Sequence, residues 1–327
     1  MANDLNIAVI GAGYWGRRVI PEYMQLSNLN PRVKLAKVCD LKGENLDYCA
    51  KTLGVEEEKL YLDYEALLSS SDVDAFHICT PNDTHHKFGL AALNAGKHVL
   101  IEKPIAMSAR DAWELVATAK LRKLILQVGH IYRFSNALKA MRDLMAQGYL
   151  GDLYYLKMQW TTLIPSPADR DIVFDLGPHP IDIMNFLLGK WPVRVSCSGR
   201  AYRRKSLEEV AYISLEYDDK LLAQIELSWL QPGKVRELNI MGEKRSATVD
   251  CLRQTIKIFD NAEGTSYNID VIPNNTLFDE VSHFALSILE STNHHNPGSV
   301  GADNVAVLES LKRSMQEGKT ISVGLNT

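Results

Sequence analysis

Ile7-Ala8-Val9-Ile10-Gly11-Ala12-Gly13-Tyr14-Trp15-Gly16 is the stretch whose reading decides the fold. Its first four residues are a short continuous apolar run, the pattern of a fully buried strand. The G-x-G-x-x-G that follows leads into a helix-like segment, Arg17 to Gln25. The first glycine permits a tight turn, the second lets the backbone approach a pyrophosphate, and the third allows helix and strand to pack closely. The helix N-terminus then offers N–H groups and a partial positive charge to the phosphates. Gly11, Gly13, Tyr14, Trp15 and Gly16 are therefore candidate contacts for a dinucleotide.

Such a loop calls for an acidic residue at the end of the next strand. Val33 to Cys39 alternates and then reaches Asp40, 24 residues beyond Gly16. A carboxylate there accepts hydrogen bonds from ribose hydroxyls and repels a 2′-phosphate. Leu41 follows rather than arginine or serine, so the reading is NAD rather than NADP; the nearby Lys42 is the one cation that argues the other way.

Further strands are expected at Tyr61, Val73–Cys79, His98–Glu102 and Leu124–Val128, separated by helical segments near Leu46–Leu53, Tyr64–Ser69, His85–Ala95 and Ser108–Arg122. Six strands alternating with helices describe a doubly wound parallel sheet, with ligands bound outside the carboxyl ends of its strands. Thr80 and Asn82 fall at one such end, where ribose and nicotinamide pass. Val99-Leu100-Ile101-Glu102-Lys103-Pro104 ends another, and Glu102 and Lys103 are expected to point into the crevice. His85 reads either as a cofactor contact or, like His86, as a polar surface residue of a first helical turn, and neither has the neighbours of a metal site.

Composition bounds the rest. The 327 residues suffice for two domains, and 46% hydrophobic with 23% charged residues is ordinary for a globular chain. A net charge of −4 without a basic block argues against nucleic acid. Cys39, Cys49, Cys79, Cys197 and Cys251 form no C-x-x-C pair and are odd in number, as reduced thiols in a cytoplasmic chain would be. The polar start, Met1 to Asn6, is not a signal peptide, and no run approaches a membrane span.

Past Gly129 the regular alternation of strand and helix stops, which sets expected domains of 1–128 and 129–327. Helices are expected over Phe134–Gln147 and from Pro180 to Gly189, then near Asn275–Ser291 and Ala302–Gln316. Between them, strands at 153–160, 211–217, 223–229, 235–241, 247–250 and 255–259 alternate apolar and polar residues, as half-buried antiparallel strands do. The second domain is therefore α+β with an open, mostly antiparallel sheet, whose free polar face, carrying Tyr212, suits a homodimer or homotetramer interface. His294-His295 reads as an exposed loop.

Asp175 and His179 lie four residues apart around Gly177-Pro178. On a helix both would share one face. A histidine suits proton transfer near neutrality and a neighbouring carboxylate can orient it. The other reading, equally open from these residues, is that Asp175 caps a helix and His179 is a buried, satisfied ring.

Gly11-Ala12-Gly13-Tyr14-Trp15-Gly16, Thr80-Pro81-Asn82-Asp83-Thr84-His85, Ala95-Gly96-Lys97-His98-Val99 and Glu102-Lys103-Pro104 together resemble the Gfo/Idh/MocA family, the glucose–fructose oxidoreductases and inositol dehydrogenases. Asp175 to Asp182 resembles that family's D-x-G-x-H-x-x-D motif. The resemblance implies a Rossmann domain followed by an α+β domain, NAD, and Lys103, Asp175 and His179 as the catalytic group, with no metal. It implies hydride transfer between a secondary hydroxyl and nicotinamide, with His179 as general base and Lys103 on the same oxygen. Several stretches, including Leu227-Ser228-Trp229 before Lys234-Val235-Arg236, resemble a branch acting at the 3-position of UDP-linked N-acetylglucosamine sugars. Where that branch often has R-F-N-P, this chain has Arg133-Phe134-Ser135-Asn136. Arg133 and Arg170 read as contacts for a diphosphate or carboxylate, or as plain surface arginines. An inositol or free-sugar dehydrogenase is the alternative, and a dinucleotide-binding sensor without turnover a third.

Overall fold

The computed structural model describes residues 4–167, 170–218, 220–292 and 296–325. Asp169 and the His294-His295 pair lie outside the described residues. The first sheet holds β1 (Leu5–Ile10), β2 (Val33–Cys39), β3 (Leu60–Tyr61), β4 (Ala75–Ile78), β5 (His98–Ile101) and β6 (Leu126–Val128). All its pairings are parallel, in the order β3-β2-β1-β4-β5-β6. The order reverses at β1/β4, which is the topological switch point where a dinucleotide binds in this architecture. The crossovers carry α1 (Gly16–Leu29), α2 (Gly43–Tyr48), α3 (Tyr64–Leu68), α4 (His85–Asn94) and α5 (Ala109–Arg122). Apolar residues on both faces of β1 explain its unbroken run: Ile7 and Val9 pack with Val19, Ile20 and Tyr23 of α1.

Next come α6 (Asn136–Ala146), β7 (Leu153–Leu163), α7 (Ile172–Leu176) and α8 (Pro178–Leu188). Strands β8 (Arg194–Arg200), β9 (Val210–Glu216), β10 (Leu222–Ser228), β11 (Leu230–Gly242), β12 (Arg245–Asp250), β13 (Thr255–Asp260) and β14 (Ser266–Ile269) follow. The chain closes with α9 (Thr276–Glu290), α10 (Gly298–Glu317) and β15 (Ile321–Ser322). The second sheet runs β14-β13-β12-β11-β7-β10-β9-β8-β15 and is antiparallel except for β7 beside β10. The expected alternation is seen: Ala211, Ile213 and Leu215 are buried while Tyr212 is 59% exposed. Strands β8, β14 and β15 were not expected. β14 and β15 are short edge strands, the first largely exposed and the second only two residues long, so neither carries an apolar period to read.

The described structure divides into two compact units, residues 1–131 with 276–305, and residues 132–275 with 306–327. The segment 276–305 belongs with the first unit. Its reason is burial: Leu277, Val281, Phe284 and Ala285 of α9 join the core formed by β1, β2 and α1. An amphipathic helix shows that it needs a partner, not which sheet supplies it.

No helix among the described residues is long and apolar enough to cross a membrane. All five cysteines are free thiols, with burial raising Cys39, Cys197 and Cys251 to about 12.

Candidate active site

In the first unit the glycine loop is shaped by what its glycines exclude. Gly11 has φ +94°, and a Cβ there would lie 2.7 Å from the Cys79 carbonyl oxygen. A Cβ on Gly16 would lie 1.9 Å from the Gly11 oxygen. At Gly13 a Cβ would meet nothing within 4 Å, so the protein itself does not demand glycine there. A pyrophosphate approaching the backbone does. The α1 N-terminus has no side-chain cap, and its Arg17 and Arg18 N–H groups donate to the Gly13 and Trp15 carbonyls at 3.0 and 2.8 Å.

Asp40 stands against this loop. Its Oδ2 accepts the Ala12 N–H at 2.7 Å and its Oδ1 accepts the Lys42 N–H at 2.8 Å. Tyr14 is 76% exposed, with the Arg18 guanidinium carbon 3.9 Å from its ring centre. At the end of β4, the Thr84 hydroxyl donates to the Thr80 hydroxyl at 2.7 Å. The Asn82 Nδ2 is buried and has no hydrogen-bond partner among the described residues. An open cradle at Gly13, an uncapped helix start, a carboxylate at the β2 end and this unpaired amide fit a bound dinucleotide.

Two cofactor expectations need correction. His85 is fully buried, with Nδ1 2.7 Å from the Pro104 carbonyl and Nε2 2.8 Å from that of Thr80. Its two ring nitrogens face backbone carbonyls, to one of which the neutral ring donates its single N–H, and His85 braces the β4 end against the Lys103-Pro104 segment rather than standing on the surface. Burial lowers its pKa, against the pull of the two carbonyls. Glu102 does not point into the crevice but turns inward. It is buried, accepts the Trp15 indole N–H, and lies 3.2 Å from His77 Nε2. Gly129 makes room for it, because a Cβ there would come within 2.7 Å of its carboxylate. Lys103, next in sequence, is half-buried, and its bond to Pro104 is cis.

His86 also departs from expectation, since Asp111 and Glu114 place ligand-type atoms within 4.8 Å of its own, as do His77, Cys79 and Glu102 of one another. Helices α4 and α5 lie side by side, which brings the acidic residues of one beside the histidine of the other.

In the second unit Asp171, not Asp175, caps α7, accepting the N–H groups of Val173 and Phe174 at 2.9 and 3.1 Å. Gly177 keeps helical angles between α7 and α8, so Asp175 and His179 remain on one helical face. Gly177 is required, because a Cβ there would sit 2.3 Å from the Val173 oxygen. Arg170 approaches Asp175 at 3.6 Å. His179 is half-buried among rings: Tyr132 meets it edge-on at 5.2 Å and Trp160 lies tilted at 5.7 Å. Nothing in the motif announced Tyr132 or Trp160. The inward phase of β7, through Leu156 and Met158, marks Trp160 as a core-side residue, but not what it packs on.

Arg133 is not a surface residue. Its guanidinium is held at 2.8 Å from Asp182 and 2.6 Å from Asn185, both on α8. The motif's last aspartate, Asp182, is therefore bound to the turn before α6. Glu209 was also missed. It is buried and accepts from the Ser166 hydroxyl, the Arg203 guanidinium and the backbone N–H groups of Tyr202 and Arg203. Burial alone would raise its pKa, but those donors outweigh it and hold the carboxyl near 2.

The chain matches two family models, an "Oxidoreductase family, NAD-binding Rossmann fold" over residues 5–130 and a "GFO/IDH/MocA C-terminal domain" over residues 138–248. It is 30% identical over 262 residues to the UDP-N-acetylglucosamine 3-dehydrogenase of Acidithiobacillus ferrooxidans, covering 80% of this chain and 79% of that one. The chain belongs to the Gfo/Idh/MocA family. A second family relative, the D-glucoside 3-dehydrogenase of Escherichia coli, is 26% identical over 278 residues, covering 76% of this chain and 78% of the other. The solved structure of the Acidithiobacillus ferrooxidans enzyme superposes with a TM-score of 0.84 at 26% identity, covering 96% of this chain and 98% of that chain. As a Gfo/Idh/MocA member, this protein is an oxidoreductase acting on CH–OH groups, and its first unit is an NAD-binding domain.

Proposed function

We propose that this protein is an NAD-dependent dehydrogenase that oxidises the 3-hydroxyl of a sugar carried on a nucleoside diphosphate. The observation that supports the reading best is the pairing of Asp175 and His179 on one helical face, with the His179 ring steadied by Tyr132 and Trp160. Such a histidine can take the hydroxyl proton as general base. Asp175 keeps the imidazole oriented and stabilises it once protonated. Lys103 donates a hydrogen bond to the reacting oxygen and stabilises its developing negative charge. Gly11, Gly13, Gly16, Asp40, Thr80 and Asn82 hold the dinucleotide, with Tyr14 and Trp15 at its edge. When bound, NAD supplies the hydride acceptor. Arg170, beside Asp175, is the cation we assign to the acidic part of the substrate.

The names of both curated relatives specify oxidation at carbon 3, one of a UDP-sugar and one of a glucoside. That second name supports a free glycoside as the alternative substrate class. NADH formation from NAD with UDP-N-acetylglucosamine, its uronate, a simple glucoside and myo-inositol separates them. Turnover of a UDP-sugar that is lost in Lys103→Met and His179→Ala supports the proposal. Turnover of the glucoside or inositol alone moves the substrate class, and activity that survives both substitutions overturns the mechanism. We further infer that the exposed face of the second sheet, around Tyr212 and Tyr155, joins copies of the chain. Light scattering that finds a monomer at micromolar concentration would refute this.

A further inference from the structure

Arg236, on β11, has no part in the chemistry above and is buried in the second unit. Its Nη1 donates to the carbonyls of Thr161 and Val235 at 2.8 and 2.7 Å. Its guanidinium carbon lies 4.6 Å from the centre of the Trp160 ring. Trp160 in turn lies 5.7 Å from the His179 ring with the planes inclined by 32°, and Tyr132 meets both rings edge-on. A buried cation is costly unless acceptors and nearby negative charge compensate it. Here two carbonyls and an aromatic face do part of this. Burial lowers Arg236 to about 10, while Tyr132, Cys251 and Asp175 pull it back upward.

We propose that Arg236 is a positioning residue for the His179 ring, holding Trp160 against it and setting a fixed positive charge on the indole that packs on the histidine. This rests on reading His179 as the general base. A cation in that place opposes protonation of the imidazole, which the Asp175 carboxylate favours. The other charged or titratable groups around the helix pair include Arg170 and Asp171 before α7, Lys312 of α10 paired with Asp171, Asp182 with Arg133, Tyr132, and Cys251 after β12. None of these other groups combines a full positive charge with contact to a ring that packs on His179.

The test is the titration of the His179 ring followed by NMR in the protein alone, without NAD or sugar, with His179→Ala to assign the resonance. Arg236→Gln keeps hydrogen-bond donors and removes the charge. The His179 midpoint should move to higher pH by at least about half a unit, and Arg236→Lys should restore most of the change. Should the glutamine variant fail to fold, Arg236→Met, which also removes the charge and keeps an apolar stem on the Trp160 ring, should move the midpoint in the same direction. A midpoint unchanged in a folded Arg236→Gln or Arg236→Met protein overturns the proposal. On any substrate that is oxidised, the acid limb of kcat/KM should move with the midpoint. Because the titration needs no substrate, a protein inactive on every sugar tested would sink the proposed function while leaving this measurement readable.

Discussion

Trp15, in the glycine loop, donates its indole N–H to the carboxylate of Glu102, the residue before Lys103. The loop expected to hold the pyrophosphate and the strand end that carries the lysine are thereby joined through one buried carboxylate. His77 lies on the same oxygen at 3.2 Å. Hydrogen bonds to a charged group are worth about 1.5–3 kcal/mol. Glu102→Ala should therefore weaken NAD binding by roughly tenfold or more, measured by calorimetry. Trp15→Phe should do the same, and the double variant should be little worse than either. Full NAD affinity in either single variant would refute the link.

Asp40, the residue we propose for the ribose, is held by two backbone bonds, from Ala12 and Lys42. Removing its charge leaves Lys42 nearby and takes away the repulsion of a 2′-phosphate. In Asp40→Ser the ratio of NADP to NAD affinity should rise by about ten- to a hundredfold, since a charged contact of 1.5–3 kcal/mol is at stake. Fluorescence titration with both dinucleotides measures it. An unchanged ratio would mean that Asp40 serves only the loop.

Arg133 and Asp182 form an internal pair that is almost wholly shielded from water. Breaking one partner of a buried pair strands the other charge, at a cost of about 3–5 kcal/mol. Arg133→Met should lower the urea midpoint sharply, and Arg133→Met with Asp182→Leu should recover much of the loss. A double variant no better than the single would show that Asn185 and the packing, not the charges, carry the effect.

Burial lowers the pKa of both His85 and His98 in the folded chain. A histidine whose folded pKa lies below its unfolded value is protonated first in the unfolded chain. Stability from these two sites is therefore complete above about pH 6.5 and declines as the pH falls below it. Urea unfolding at pH 7.5 and 5.5 should show the lower stability at 5.5. His98→Gln should flatten the difference, and an equal slope in that variant would place the effect elsewhere.

The glycine loop, Asp40, the strand ends at Thr80 and Lys103 and the Asp175/His179 spacing were all legible, because each depends on residues close together in the chain. The inward turn of Glu102 was not, since it follows from Trp15, His77 and the space left by Gly129, and no local period encodes those partners. His85 shows the same limit: a first-turn histidine looks exposed until Thr80 and Pro104 are seen on its two nitrogens.

By itself the sequence determined the parallel doubly wound sheet, its dinucleotide loop and the mostly antiparallel second sheet, and it singled out the residues we propose for acid–base chemistry. These are matters of period, glycine placement and chemical type. Only the tertiary structure decided that α9 belongs to the core of the first unit, that Arg133 is held by Asp182, that Tyr132 and Trp160 pack on His179, and that Arg236 lies on the Trp160 ring. Those relationships join residues tens of positions apart or more. Burial tells such side chains that they must find partners, but packing alone chooses which.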